Sequence, residues 1–243
     1  MPDAIFAHPR LAPVYDTFEG HRDDLPAYVD IVDELGARHV LDVGCGTGSL
    51  AVRLADRGRT VTGVDPAEAS LRIARAKDPA GRVTWLHGDA TTLPALAADL
   101  AVMTGNVAQV FLTDDDWART LRGIRAALRP GGHFVFETRR PEHRTWEDWA
   151  EDTDPVTVTV PGIGTVERRF EVTDVRLPFV SFRCAYRFLT DGAVVTSAST
   201  LRFRDRDEVT ASLTEGGYRV LDVRDAPDRP GREFVFVAEC GGR

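Results

Sequence analysis

A short apolar run that breaks off in three alternating glycines constrains this chain more than any other stretch. Val40-Leu41-Asp42-Val43 leads into Gly44-Cys45-Gly46-Thr47-Gly48, and the amphipathic run Leu50, Val52, Leu54, Ala55 follows at once. Strand, tight turn, helix is the order that turns helix N-terminal N–H groups toward a nucleotide-like ligand. Glycine at 44, 46 and 48 lets backbone approach where a Cβ would collide. The next apolar run, Val61-Thr62-Gly63-Val64, ends in Asp65, spaced to accept hydrogen bonds from ribose hydroxyls. Pro66 then presets the first turn of the following helix.

The alternation continues in both directions. Asp24-Leu25-Pro26 reads as a helix start with an N-cap acid, and Gly36 supplies the stop. Strands are expected at about 39–43, 60–64, 83–86 and 99–103, and again from His133 to Glu137 after the turn Arg129-Pro130-Gly131-Gly132. Thr113 with Asp116 caps a helix through Trp117, Leu121, Ile124 and Leu128. From about 155 the texture changes to strands. Val156–Val160 alternates with period two, and Val180–Thr190 meets Ala193–Arg204 across Asp191-Gly192, a sharp hairpin signal. A two-residue turn there sets Phe188 opposite Val195, Tyr186 opposite Ser197, Cys184 opposite Ser199 and Phe182 opposite Leu201. Asp205-x-x-Glu208 caps one more helix, and Tyr218–Val223 and Phe234–Glu239 close the chain as strands.

With 243 residues the chain can bury a sizeable core as one domain with an insertion. A net charge of −8 argues against a broad nucleic-acid-binding face. Cys45, Cys184 and Cys240 are too few and scattered for a disulfide framework or a zinc site, and the acids Asp114–Asp116 complement a helix dipole, so no metal is expected. No apolar run reaches the ~20 residues needed to span a bilayer and no signal peptide is evident, so a cytoplasmic location is expected. Arginine supplies nearly all the positive charge; Lys77 is the only lysine.

The run Asp42-x-Gly44-x-Gly46-x-Gly48, with Ser49 where a nicotinamide fingerprint wants glycine or alanine, resembles motif I of the class I S-adenosylmethionine (SAM)-dependent methyltransferases. Gly88-Asp89-Ala90, the Leu128-x-Pro130-Gly131-Gly132 link and the closing Gly217-Tyr218-x-Val220 carry the resemblance over about 24–139 and 205–239. It implies an α/β Rossmann-like sheet of seven mostly parallel strands in the order 3-2-1-4-5-7-6, flanked by helices. Residues 1–154 and 205–243 would form the SAM-binding core, with 1–22 as an N-terminal lid. Residues 155–204 would be an antiparallel β insertion, either roofing the substrate pocket or forming a homodimer surface.

The same resemblance implies site roles. SAM would lie against Asp42, Gly44, Cys45, Gly46 and Gly48, with its ribose on Asp65 beside Pro66. Its adenine would meet the Asp89 carboxylate and the Ala90 N–H, its methionine part Thr104, Gly105 and Asn106, and Tyr15 would cover it. Substrate arrives at the carboxyl ends of parallel strands, where the sequence offers Arg139 for substrate contact and Glu137 and His143 as catalytic groups. Methyl transfer to N or O of a small molecule, leaving S-adenosylhomocysteine (SAH), is the leading expectation. The Gly105-Asn106-Val107-Ala108 run departs from the Asn-Pro-Pro-Tyr-like motif of nucleic-acid base methyltransferases. A tRNA or protein methyltransferase and a non-catalytic SAM-binding protein remain as alternatives.

Overall fold

The computed structural model describes residues 2–241; Met1 and residues 242–243, the outermost positions of the expected lid and core, lie outside it. Five strands alternate with helices: β1 (His39–Val43), β2 (Thr60–Asp65), β3 (Val83–His87), β4 (Ala98–Met103) and β5 (Leu128–Arg139). β10 (Tyr218–Asp225) and β11 (Glu233–Cys240) join them in one seven-stranded sheet, ordered β10-β11-β5-β4-β1-β2-β3. Counted without the insertion's four strands, that is 3-2-1-4-5-7-6. β1 to β5 run parallel, and β11 is antiparallel to both of its neighbours.

Both sheet faces are covered, which is why the parallel strands read as apolar runs. On one face Val40, Val61, Leu100, Val102 and Val135 pack under α3 (Leu25–Glu34) and α4 (Ser49–Asp56). On the other, Leu41, Met103, Phe134 and Phe136 pack under α6 (Asp114–Ala127) and α8 (Arg206–Glu215). Phe134, Phe136 and Phe236 stack in a row with centroids 4.7 and 5.3 Å apart. Each such pair adds about 1 kcal/mol beyond its buried area. α5 (Glu68–Lys77) follows β2.

The insertion is a four-stranded antiparallel sheet, β6 (Val156–Val160), β7 (Gly164–Arg176), β8 (Phe179–Phe188) and β9 (Val194–Arg202). Its hairpin departs from the expected register by two residues: Tyr186 faces Val195, Cys184 faces Ser197, Phe182 faces Ser199 and Val180 faces Leu201. The loop is four residues long, not two. Phe188 N–H donates to Ala193 C=O, and Gly192 adopts φ 72° with the Asp191 carboxylate accepting from Ala193 N–H. A shift of two preserves side-chain parity, so Cys184, Tyr186 and Phe188 still share one buried face.

That face is filled by the N-terminal segment. Pro9 and Pro13 split it into α1 (Ala4–Ala7) and α2 (Ala12–Glu19), whose Ile5, Leu11 and Val14 pack with Val160, Val166, Tyr186 and Phe188. Ile5 N–H donates to Ser197 Oγ at 2.9 Å, while Ser70 Oγ on α5 donates to Phe6 C=O at 2.9 Å. α1 and α2 thus lie between the second sheet and the glycine-loop side of the core. α7 (Thr145–Glu151) packs Trp146 and Trp149 against the same sheet. The Asp24 cap is corrected: its side chain makes no cap bond and instead takes Arg22 Nε and Nη2 at 2.8 and 2.6 Å. No helix among the described residues is long and apolar enough to cross a membrane.

Candidate active site

The glycine loop joins β1 to α4 with Gly44, Gly46 and Gly48 at φ 72°, 53° and 79°. They do different work. A Cβ on Gly44 would stand 2.8 Å from Val107, and one on Gly48 2.5 Å from the Trp85 ring, so both sites are packed shut. A Cβ on Gly46 would meet nothing within 4 Å. The loop is therefore closed at its ends and open at its middle. Gly44 and Cys45 N–H groups bond Val64 C=O at 2.9 and 3.1 Å, tying the loop to β2.

Carboxylates surround the loop. Asp65 is 7% exposed; Oδ2 accepts from Gly46 N–H at 2.9 Å and Oδ1 from Ala67 N–H at 2.8 Å. Burial raises its pKa, opposed by those two N–H groups. Asp42 lies deeper, and burial, opposed by the nearby Arg22 cation, pushes it up to about 7. Pairing of β2 with β3 sets Asp65 beside His87, and Gly88 N–H donates to Asp65 C=O at 3.1 Å. Asp89 is exposed and caps a 3-10 turn, Ala90–Thr92: Thr91 N–H and hydroxyl donate to Oδ1 at 2.8 and 2.6 Å. Ala90 C=O would lie 2.0 Å from a Cβ on Gly123, so a bare α6 backbone lets this turn sit down.

β4 delivers Thr104-Gly105-Asn106 across from the loop, with Gly105 and Asn106 at φ 77° and 59°. A Cβ on Gly105 would also meet nothing within 4 Å. Glu137 Oε1 holds this turn, accepting from Gly105 and Asn106 N–H at 2.5 and 3.0 Å. Glu137 is 1% exposed, and burial beside Glu233 pushes it up to about 7. Its carboxylate is committed to positioning backbone, which is not how a base in contact with substrate is presented. Asn106 Nδ2 donates to Glu233 Oε1 at 2.9 Å, while Asn106 Oδ1 and Glu233 Oε2 are buried without a partner.

Arg139, next on the same strand, donates to Gln109 Oε1 at 2.9 Å, lies 3.9 Å from Glu233 and faces the Trp149 ring at 5.1 Å. Burial lowers its pKa. His143 is half-buried on the 3-10 turn Pro141–His143; Nε2 has no hydrogen-bond partner and lies 3.8 Å from the Asp148 carboxylate. No hydrogen bond or ion pair among the described residues links it to the glycine loop. Tyr15 on α2 packs edge-on to Phe6 at 5.2 Å, and burial raises its pKa. Pro66 is exposed at the start of the turn into α5.

Sequence reasoning missed several groups here. Burial opposes the Arg22 charge, yet its pair with Asp24 holds its pKa above the ordinary value. Glu233 is 1% exposed and takes Arg229 Nη1 at 2.9 Å. Lys77 reaches from the end of α5 to Asp16 on α2 at 2.6 Å. In the sequence Asp24 read as the cap of Asp24-Leu25-Pro26 and Lys77 stood out only as the sole lysine.

Residues 40–132 match the model of the family described as "Methyltransferase domain". An uncharacterized methyltransferase of Mycobacterium tuberculosis is 36% identical over 156 residues, 60% of this chain and 62% of the relative. The chain spans 42% to 62% of the length of the first curated relatives it matches. The CcbJ methyltransferase from Streptomyces caelestis superposes with TM-score 0.76 at 24% identity, covering 96% of each chain. The sugar N-methyltransferase KedS8 from Streptoalloteichus sp. gives TM-score 0.75 at 21% identity, covering 94% of this chain and 93% of that one. The chain has the fold of solved SAM-dependent methyltransferases, and its residues 40–132 match a methyltransferase domain. The geometry suits the cofactor: two glycines open to space, a buried acid bonded to one, and a buried carboxylate fixing the other.

Proposed function

We propose that this chain transfers a methyl group from SAM to a nitrogen of a small-molecule acceptor, releasing SAH. The open middle of the glycine loop at Gly46, flanked by Asp65, together with an equally open Gly105 at the end of β4, carries the reading. Asp65 accepts from the ribose hydroxyls next to Pro66, Asp89 and Ala90 N–H meet the adenine, and Thr104 to Asn106 meet the methionine part. Glu137 fixes the Gly105–Asn106 turn from beneath, and Asp42 lies buried beneath the glycine loop. Tyr15 covers the cleft, and α1, α2 and the second sheet roof the acceptor pocket. Arg139, a partly exposed cation held by Gln109 and lying 3.9 Å from Glu233, contacts the acceptor.

SAM supplies an already activated methyl on its sulfonium. The residues therefore have to align an acceptor lone pair behind that methyl and keep water away, and positioning of this kind can lower a barrier by several kcal/mol. Nitrogen is favoured over oxygen because Glu137 is occupied with the Gly105–Asn106 turn and His143 has no link to the loop. An amine that binds deprotonated forms its N–C bond as the S–C bond breaks and then loses a proton to solvent, with no protein base. The KedS8 relative is, by its description, a sugar N-methyltransferase, which agrees with a nitrogen acceptor.

The test is transfer of labelled methyl from SAM to matched panels of primary and secondary amines and of hydroxylated metabolites, read by mass spectrometry. Methylated amines are expected. Products formed only on hydroxyls would overturn nitrogen, and SAH binding without product on either panel would favour a non-catalytic binding protein.

A further inference from the structure

We propose that Lys77 is the latch that holds the roof shut over the cofactor cleft; the inference rests on the SAM reading above. Its Nζ lies 2.6 Å from Asp16 Oδ2 on α2, 3.1 Å from Thr47 Oγ1 in the glycine loop and 3.2 Å from Ser49 Oγ at the start of α4. Thr47 Oγ1 closes the ring by donating to Asp16 Oδ1 at 2.6 Å. One ammonium thus ties the covering helix to the loop that takes the cofactor, at a cleft lined by Tyr15, Glu19, Arg22 and Ser49.

Composition supports a specific task. The chain has 30 basic residues and only this one is lysine. Three acceptors on three separate residues suit a compact ammonium with three tetrahedral donors, whereas a planar guanidinium fork suits paired acceptors in one plane. Apart from this ring, in which Thr47 also donates to Asp16, the Ser70–Phe6 hydrogen bond from α1 to α5 is neutral, and the apolar contacts of Leu11 and Val14 go to the second sheet. α1, α2 and that sheet form one apolar cluster, and its charged tie to the glycine loop is Lys77 with Asp16. Tyr15, one residue before Asp16, is held over the cleft by the same tie.

Lys77 is a positioning residue, so its test must read ligand exchange and not stability alone. SAH affinity and dissociation rate would be measured by calorimetry and stopped-flow on wild type, Lys77→Met and Lys77→Arg. Lys77 and Asp16 are about one-third exposed, and an exposed pair of this kind changes an equilibrium by up to about 5-fold. The expected result is SAH release faster by about that factor in Lys77→Met, with Lys77→Arg failing to restore it. Unchanged affinity and release in both variants, or full restoration by arginine, would overturn the latch.

A second measurement does not depend on either variant folding. Amine-directed acetylation can modify one side chain in this protein, and saturating SAH should slow it by at least ~3-fold, inside the range an exposed ion pair commands. Equal labelling with and without SAH overturns the proposal. Wild type that binds no SAH would fail the cofactor reading itself and take the latch with it, a result distinct from equal binding by wild type and variants.

Discussion

Replacing Glu137 by glutamine separates the two tasks its carboxylate performs: accepting hydrogen bonds from Gly105 and Asn106 N–H, and carrying a charge while buried. Burial beside Glu233 raises its pKa from 4.5 to about 7. A carboxyl raised in this way favours the folded state while protonated. Its contribution is fully present below about pH 4.5 and is lost as pH rises through about 7. At ~1.4 kcal/mol per pKa unit the whole loss is about 3 kcal/mol, of which roughly 2 falls between pH 5 and 8. Glutamine keeps an acceptor for both N–H groups and never ionises. Its new amide donors enter a cluster with two partnerless acceptors, Asn106 Oδ1 and Glu233 Oε2. Urea unfolding of wild type and Glu137→Gln at pH 5, 6, 7 and 8 reads the difference. The variant should gain on wild type by about 2 kcal/mol across that range. Parallel profiles would refute burial as the dominant influence. A variant less stable than wild type at pH 8 would mean that the two N–H bonds, which favour the charged form, win instead.

Three further outcomes follow from packing and hydrogen bonding. Gly48→Ala forces a φ of 79° on alanine and a contact 2.5 Å from Trp85, so thermal unfolding should show a loss of about 2 kcal/mol or more. Gly123→Ala drives a methyl into Ala90 C=O; it should displace the Asp89–Ala90 turn and weaken SAH binding, and unchanged affinity would argue against adenine contact there. Asp99 accepts from Arg38 N–H, His39 N–H and Arg129 Nε at 2.9, 2.9 and 2.6 Å, and the His39 N–H above all holds its pKa down to about 2. Asp99→Ala should therefore cost about 1 kcal/mol per lost bond near neutrality, a penalty that shrinks as pH falls toward 2, measured by denaturant titration.

Local features were legible in the sequence. Strand, glycine turn and helix at 39–56 depend on neighbours a few residues apart, and the cap at Thr113 and the acid at Asp205 act over three positions. The hairpin near 191 was visible, but its register was not, because Asp-Gly serves a four-residue loop as well as a two-residue turn. Charge partners were the least legible. Asp24 reads as a cap until Arg22 is seen wrapped around it, and Glu137 reads as a base until Gly105 and Asn106 are seen resting on it. The roof was hardest of all: Ile5 meets Ser197, and Lys77 meets Asp16, across separations that no periodicity encodes.

The central claim is that SAM binds over the open glycines Gly46 and Gly105 with its ribose on Asp65. Calorimetric titration with SAH tests it most directly, on wild type and on Asp65→Ala, with a thermal melt of each free protein alongside. The prediction is saturable binding by wild type and a folded variant weaker by at least ~1.5 kcal/mol, the loss of charge-assisted hydrogen bonds to the ribose. No heat from wild type, or equal affinity in the variant, would contradict the account.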